Sequence, residues 1–108
     1  MGSEKIEESA PIKRLKKNIT SGNIWIYILS LLKKNKKVYA YALDKGIQEE
    51  FNFKTSLVMI YLVLYRLEGE GIIESKFEER RKYYTLTKKG EKVFENGKKI
   101  LNGIVKRL

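Results

Sequence analysis

The sequence predicts a mainly α-helical (α+β) fold in which three helices are followed by a two-stranded β-hairpin and a last helix. Apolar residues recur at spacings of three and four over most of residues 12–67, as they do on amphipathic helices. Two short segments, 72–77 and 83–87, are instead rich in β-branched and aromatic residues and flank a charged stretch. An apolar stripe at helical spacing then resumes and runs to Leu108.

The N-terminal part of the chain is predicted to be a tail followed by helix. Residues 1–10 are acidic and poor in apolar side chains, which predicts a flexible tail, and Pro11 suits the first turn of a helix. Gly22 interrupts the apolar stripe, so this segment forms either one kinked helix or two short ones. Residues 24–32 are apolar on nearly all sides and are expected to run through the core. The stripe comprises Ile12, Leu15, Ile19, Ile26 and Leu29.

A second helix is predicted over residues 38–50, and a third helix runs to about Glu68. Either Thr55 or Ser56 can cap the third helix, and residues 52–53 form the short turn between the two helices. The predicted core contacts are Tyr41, Leu43, Ile47 and Phe51 on the second helix and Leu57, Ile60, Tyr61, Leu64 and Leu67 on the third.

The C-terminal part is predicted to be a hairpin followed by one long helix. Residues 78–82, between the two predicted strands, form an entirely charged tip, and Thr87 can cap the helix that follows. The apolar stripe of this helix is too wide for a helix that only covers a small core, which predicts an oligomer. The stripe comprises Val93, Phe94, Gly97, Ile100, Leu101, Ile104, Val105 and Leu108.

This order of elements is that of a winged helix-turn-helix, in which the third helix enters the DNA major groove and the hairpin, or wing, reaches the neighbouring backbone or minor groove. We therefore assign residues 11–90 to a DNA-binding domain and residues 88–108 to a C-terminal dimerisation helix. The charge favours a polyanionic partner, because 23 Lys and Arg oppose 13 Asp and Glu and give a net charge of +10. A Lys-rich surface adapted to solubility or heat would give the same balance.

Several classes of protein are excluded by composition. The chain has no Cys and no His, which excludes disulfides, Cys/His zinc sites and catalytic triads. No loop has the calcium-binding spacing, and no Walker-type phosphate loop occurs, so we expect no enzyme, no metal and no cofactor. No secretory signal is visible, and the apolar stretch 24–32 is far shorter than the ~20 residues that span a bilayer. We therefore expect a cytoplasmic protein with no membrane contact.

Candidate DNA-binding residues lie at the start of the third helix, on its outer face and on the wing. Exposed amides and hydroxyls at a helix start suit phosphate, and so do the cations of the wing. On a helical wheel Met59 and Leu62 lie opposite the core face, where they either contact thymine methyl groups or pack on the protein itself. The candidates are Lys54, Thr55, Ser56, Met59, Arg66, Arg80, Arg81 and Lys82.

Residues 66–75 and 81–90 resemble two motifs of the PadR-like transcriptional regulators, RLE-x-x-G-x-I and R-x-Y-x-L-T-x-x-G, and the resemblance covers roughly residues 12–108. Shorter matches are Tyr41 and Leu43 to GYEL, and Ser56 and Tyr61 to S-x-G-T-L-Y-P. The departures are Ala40 and Ala42 in the first of these and Val58, Met59 and Leu62 in the second. The departures on the third helix weaken any transfer of base contacts from the family.

The resemblance implies a sequence-specific double-stranded DNA-binding repressor that acts as a homodimer on an inverted-repeat operator. It also implies that the terminal helices exchange contacts across a twofold axis, through Ile12, Leu15, Ile19, Phe94, Ile100, Leu101, Ile104 and Leu108. Some relatives bind aromatic or drug-like effectors between the subunits. Trp25, Tyr27 and Phe94 are candidates for such a pocket, although aromatic residues on an apolar helix also fit a plain core. The alternative function is a winged-helix module that contacts protein or RNA.

Overall fold

The computed structural model describes residues 5–108, which form five α-helices and one antiparallel sheet of three strands. The helices are α1 (Ala10–Ile19), α2 (Ile24–Lys34), α3 (Ala40–Phe51), α4 (Leu57–Gly69) and α5 (Lys88–Arg107). The strands are β1 (Val38–Tyr39), β2 (Ile73–Glu78) and β3 (Arg81–Leu86). The predicted mainly α-helical fold with a helix-turn-helix and a wing is confirmed. Of the predicted tail, residues 1–4 lie outside the described residues, and Ile6–Glu8 form a 3-10 helix.

The first apolar stripe forms two helices rather than one kinked helix. Between them, Thr20 leaves helical geometry (φ −109°, ψ −91°), and its hydroxyl donates to the Lys16 carbonyl oxygen at 2.6 Å. The Ser21 hydroxyl donates to the Lys17 carbonyl oxygen at 3.2 Å. These hydroxyls occupy the last carbonyls of α1 and so compete with continuation of its backbone ladder.

The sheet has the strand order β1-β3-β2, with β3 in the centre. Val38 pairs with Tyr84 and Tyr39 with Tyr83. The sequence prediction was wrong on one detail here, because the second helix begins at Ala40 rather than at residue 38. The predicted two-stranded wing is present as β2 and β3, and β1 adds a third strand to the sheet. The β-branched side chain of Val38 and the aromatic side chain of Tyr39 suit a strand. Their partner strand, β3, lies more than 40 residues later in the chain, so neighbouring residues do not indicate the pairing.

The tip of the wing is shorter than predicted. Glu78 pairs with Arg81, so the turn contains only Glu79 and Arg80. Both turn residues have positive φ values, 50° and 72°. This is the backbone of a two-residue type I′ turn, whose twist matches that of the two strands. Arg81 and Lys82 therefore belong to β3 and not to the tip.

The core lies between α2, α3, α4 and the sheet. Its fully buried side chains are Ile28, Leu29, Leu43, Ile47, Ile60, Leu64 and Ile73. Three residues that the sequence predicted to face the core are exposed instead, namely Tyr41, Leu57 and Tyr61. Tyr41 lies in the first turn of α3 and stacks on Tyr39, with ring centroids 6.4 Å apart. Helices α3 and α4 therefore carry more apolar residues than the core buries.

The start of α5 is fixed against the link between α4 and β2. Thr87 caps the helix as predicted, because its hydroxyl oxygen accepts from the Gly90 N–H at 3.0 Å. The same hydroxyl donates to the Gly71 carbonyl oxygen at 2.7 Å. At Gly90 a Cβ atom would lie 2.1 Å from the carbonyl oxygen of Ile72 and 2.7 Å from a methyl carbon of Leu86. Only a glycine lets the helix approach the backbone this closely.

The substitution Gly90→Ala is expected to lower the free energy of unfolding by about 1–3 kcal/mol, because the added methyl group overlaps a backbone oxygen that cannot rotate away. Urea denaturation measures the loss. Gly103→Ala in the same helix is the control, since a Cβ there meets nothing within 4 Å. That variant gains up to about 1 kcal/mol from the better helix propensity of alanine. Equal stabilities of the two variants would contradict the close approach at Gly90.

Candidate nucleic-acid interface

The turn between α3 and α4 holds the two helices at a fixed angle. Asn52 ends α3 in the left-handed conformation (φ 60°), and its N–H donates to the Gln48 carbonyl oxygen at 3.1 Å. Phe53 packs edge-on against Tyr27 of α2, with ring centroids 4.9 Å apart. Ser56 is the cap of α4, since its hydroxyl accepts from the Met59 N–H at 3.1 Å. The local sequence thus builds the helix-turn-helix that the order of elements predicted.

The predicted DNA-binding residues of this region lie together around the start and the outer face of α4. Lys54 and Ser56 are exposed just before the helix, whereas Thr55 between them is half-buried. Met59 and Arg66 are exposed on the helix itself. The hydroxyl of Ser56 already accepts the capping hydrogen bond of α4. Ser56 therefore contributes to an anion site by stabilising the start of the helix.

The two most exposed apolar residues of α4 were not among the candidates predicted from the sequence. Val58 is 80% exposed and Tyr65 is 78% exposed. With Leu62 they follow the four- and three-residue spacing of one helix face, opposite the buried Ile60 and Leu64. This spacing was readable in the sequence. It was obscured because both faces of the helix are apolar.

The three predicted wing cations differ in their surroundings. Arg80 is exposed in the turn. Arg81 lies over the ring of Tyr39, 5.4 Å from its centroid. The Nζ atom of Lys82 lies 3.9 Å from a carboxylate oxygen of Glu68 on α4, so its charge is partly compensated. Because neighbouring residues of a strand point to opposite faces, the side chains of Arg81 and Lys82 leave the wing on different sides.

Lys37, just before β1, contacts the end of β2 that borders the turn of the wing. Its Nζ atom donates to both carboxylate oxygens of Glu78 at 2.7 and 2.9 Å, and it lies 4.7 Å from the ring centroid of Tyr83. The hydrogen bond to Glu78 raises the pKa of Lys37, which keeps the lysine charged. This contact pairs an acidic residue of the wing with a lysine of the body. Among the described residues, Arg80 and Arg81 form no ion pair.

Lysine and arginine without ion pairs also flank α4. Within residues 5–108, neither Lys54 before the helix nor Arg66 near its end lies within 4.0 Å of a carboxylate. The structure thus brings uncompensated positive charge to both ends of the exposed helix face and to the adjacent wing. An arrangement of this kind can bind phosphates on both sides of a groove.

The predicted interface residues of the terminal helices are mostly exposed. No residue of α1 is buried, and Leu15 and Ile19 are exposed while Ile12 is half-buried. On α5, Ile100 is 57% and Ile104 is 54% exposed, and Leu101 and Leu108 are exposed as well. Phe94 is different, because it is 8% exposed and already packs in the core of its own chain. Its available surface is the part that faces the cleft described next.

A cleft of about 700 Å³ lies between α2 and α5 and is bordered by the ends of α1 and α3. All three predicted effector-pocket residues, Trp25, Tyr27 and Phe94, line it. Tyr27 is fixed in place by its hydroxyl, which donates to the Ile19 carbonyl oxygen, and by Phe51, whose ring centroid lies 4.8 Å from its own. Burial raises the pKa of this phenol and so favours the protonated form, which donates the hydrogen bond. Ile19, Ile100 and Leu101, from the predicted dimer interface, also line the cleft.

Neither a metal centre nor a membrane helix is present in the part of the chain that the structure describes. Residues 5–108 contain no group of three or more acidic side chains arranged to hold a metal ion. None of the helices there combines the length and the apolar character that crossing a membrane takes.

Comparisons with known proteins agree with this geometry. The model of the transcriptional regulator PadR-like family matches residues 28–96. The crystal structure of a PadR family transcription regulator from Clostridium difficile is 34% identical, with 79% of this chain and 93% of that chain covered and a TM-score of 0.73. A PadR-like transcriptional regulator from Bacillus cereus is 26% identical, with coverages of 85% and 91% and a TM-score of 0.71. A winged-helix DNA-binding protein from STIV is similar in fold, at 23% identity, coverages of 80% and 94% and a TM-score of 0.69. No curated protein matches the sequence.

Proposed function

The chain belongs to the PadR-like family and is a DNA-binding transcription regulator rather than an enzyme, and from this premise we propose that it is a repressor that binds an inverted-repeat operator as a homodimer. The observation that supports the operator-binding part most directly is the grouping of uncompensated cations around an exposed helix. Lys54 precedes α4 and Arg66 lies in its last turn. Arg80 and Arg81 extend the positive surface onto the wing. This grouping suits a helix in the major groove with a wing on the adjacent backbone.

The proposed dimer forms through α1 and α5 of each subunit. The exposed stripe of α5 lies beyond Gly97, where the helix crosses Trp25 of α2, and α1 offers a second exposed apolar stripe. The two exposed stripes meet at the cleft, which Ile19, Ile100 and Leu101 line together, and an exposed apolar surface of this kind typically marks a site of protein contact. A twofold pairing of these surfaces presents two copies of α4 to half-sites about one helical turn (~34 Å) apart. The operator is therefore an inverted repeat.

We further propose that the cleft beside α5 holds a small aromatic effector. Its walls are mostly apolar and aromatic, and Lys33, Lys34 and Lys98 also line it. Apolar clefts with a few polar groups are the usual form of small-molecule sites. Because Ile19, Ile100 and Leu101 belong both to the cleft and to the proposed interface, a bound effector would change the contacts between subunits. The indole of Trp25 reports occupancy through its fluorescence.

Binding to duplex DNA tests the proposal. Fragments of genomic DNA selected by the protein supply the operator, and its dissociation constant is then measured across a range of salt concentrations. We expect a steep linear fall of log affinity with log salt, because each neutralised phosphate contributes about 0.9 to the slope. An RNA duplex of the same sequence is the control, since the deep and narrow major groove of A-form RNA does not admit α4. Equal binding to both duplexes, or no binding to DNA at low salt, would contradict the proposed function.

A further inference from the structure

The outer face of α4 is apolar, although it points away from the core. Val58 and Tyr65 are the most exposed apolar side chains of this helix, and Met59 and Leu62 beside them are exposed as well. The opposite face is buried through Ile60, Leu64 and Leu67. A helix on the surface of a protein normally carries polar residues on its solvent side. An apolar outer face beside cations is therefore a contact surface rather than a solvated one.

The first two turns of α4 lack the groups that read bases by hydrogen bonds. From Leu57 to Val63 the only hydroxyl is that of Tyr61, and no Arg, Lys, Asn or Gln occurs. Those four residue types make the usual bidentate contacts to guanine and adenine in the major groove. On this helix they are absent up to Arg66, one turn before the end. The one apolar group that bases present in the major groove is the C5 methyl group of thymine.

The charge around the face decides which partner it suits. Lys54 and Arg66 stand at its two ends, and among the described residues neither forms an ion pair. A second copy docked on this face would bring these cations and those of the wing close to their own equivalents. The major groove of DNA instead offers two rows of phosphates that border a floor carrying the thymine methyl groups. An apolar strip between cations is complementary to that surface.

We propose that α4 selects thymine in the operator half-site through contacts of Val58, Met59 and Leu62 with C5 methyl groups. This inference rests on the proposed function, since it assigns the chemistry by which the same helix recognises its DNA. It predicts that specificity comes from burial of methyl groups on the groove floor, while Lys54, Arg66 and the wing supply affinity that does not depend on sequence.

The experiment compares a duplex of alternating A·T pairs with the same duplex in which deoxyuridine replaces every thymine. Deoxyuridine keeps the pairing and the hydrogen-bonding edge and removes only the methyl group. Loss of each buried methyl contact is expected to weaken binding about fourfold. With one such contact in each of the two copies of α4, we expect the deoxyuridine duplex to bind about 16-fold more weakly or worse.

The variant Val58→Thr/Met59→Gln is the matched control, because it keeps the side-chain size and places polar groups on the same face. Both positions are exposed, so the variant retains the fold, which circular dichroism verifies. We expect it to bind the two duplexes about equally. The variant could instead prefer the thymine duplex as strongly as the natural chain does. The methyl groups would then act only through the shape of the DNA, and the inference would be wrong.

The remaining outcomes separate this inference from the proposed function. Salt-dependent binding of the natural chain with no preference between the duplexes would overturn thymine selection and leave DNA binding in place. No binding to either duplex at low salt would overturn both. If α4 instead docks a second copy, the natural chain sediments as a larger assembly than Val58→Thr/Met59→Gln in the absence of DNA, and thymine selection is overturned.

Discussion

Replacement of Arg80 and Arg81 by alanine will lower the affinity for operator DNA on the order of 10³-fold at about 0.1 M salt, and will reduce the slope of log affinity against log salt by about 3 to 4 units. The reason is that the proposed dimer loses four cations, none of which forms an ion pair among the described residues. Phosphate contacts of this kind act on all sequences alike. The loss is therefore expected equally on the operator and on unrelated duplex DNA.

Lys82→Ala is the control for this prediction. Its ammonium group lies 3.9 Å from Glu68, and it leaves β3 on the opposite face from Arg81. We expect Lys82→Ala to reduce the slope by less than either arginine substitution does. All variants should keep the thermal unfolding midpoint of the natural chain, since these side chains are exposed. If Arg80→Ala/Arg81→Ala leaves the slope of log affinity against log salt unchanged, these wing arginines do not contact DNA phosphates.

The variant Ile100→Glu/Ile104→Glu is expected to sediment as a folded monomer and to bind the operator 10²–10⁴-fold more weakly, because two linked half-site contacts become independent events. The two side chains are 57% and 54% exposed in the single chain, so the carboxylates would be buried only in the dimer. In the proposed twofold dimer the two subunits together would bury four carboxylates without partners, which opposes association strongly. Analytical ultracentrifugation and operator binding measure the two effects.

Asn102→Glu introduces the same charge on the other side of α5, where a helical wheel places it away from the apolar stripe. This control variant is expected to remain dimeric. A dimer formed by Ile100→Glu/Ile104→Glu with the stability of the natural one would show that the subunits pair through another surface. Unfolding of the variant would likewise contradict the prediction, since the single chain does not bury these positions.

The parts of the fold that depend on neighbours in sequence could be predicted. Thr87 was predicted to cap α5, and its hydrogen-bond partner Gly90 stands only three residues later. The hairpin was likewise visible in the change from helical spacing to β-branched and aromatic residues after Gly71. Long-range pairing could not be predicted in this way. Val38 and Tyr39 were assigned to a helix, because neighbouring residues do not indicate that they pair with Tyr84 and Tyr83.

The candidate site was predicted less completely, for a different physical reason. Hydrophobicity alone does not separate a face that packs in the core from one that binds a partner. Tyr41, Leu57 and Tyr61 were therefore assigned to the core, although they are exposed, and Val58 and Tyr65 were overlooked. The length of the wing tip was also predicted wrongly. Arg81 and Lys82 were assigned to the tip because they are charged, although they belong to β3.

Strand β1 has a consequence for how the protein meets its ligand. A hairpin of two strands could swing about its base, but β3 is held between β2 and β1, and β1 runs directly into α3 of the helix-turn-helix. The distance between the wing and the helix-turn-helix is thereby set before the protein binds DNA. Little conformational entropy is then lost when both engage, so the free energy of the phosphate contacts is retained as affinity.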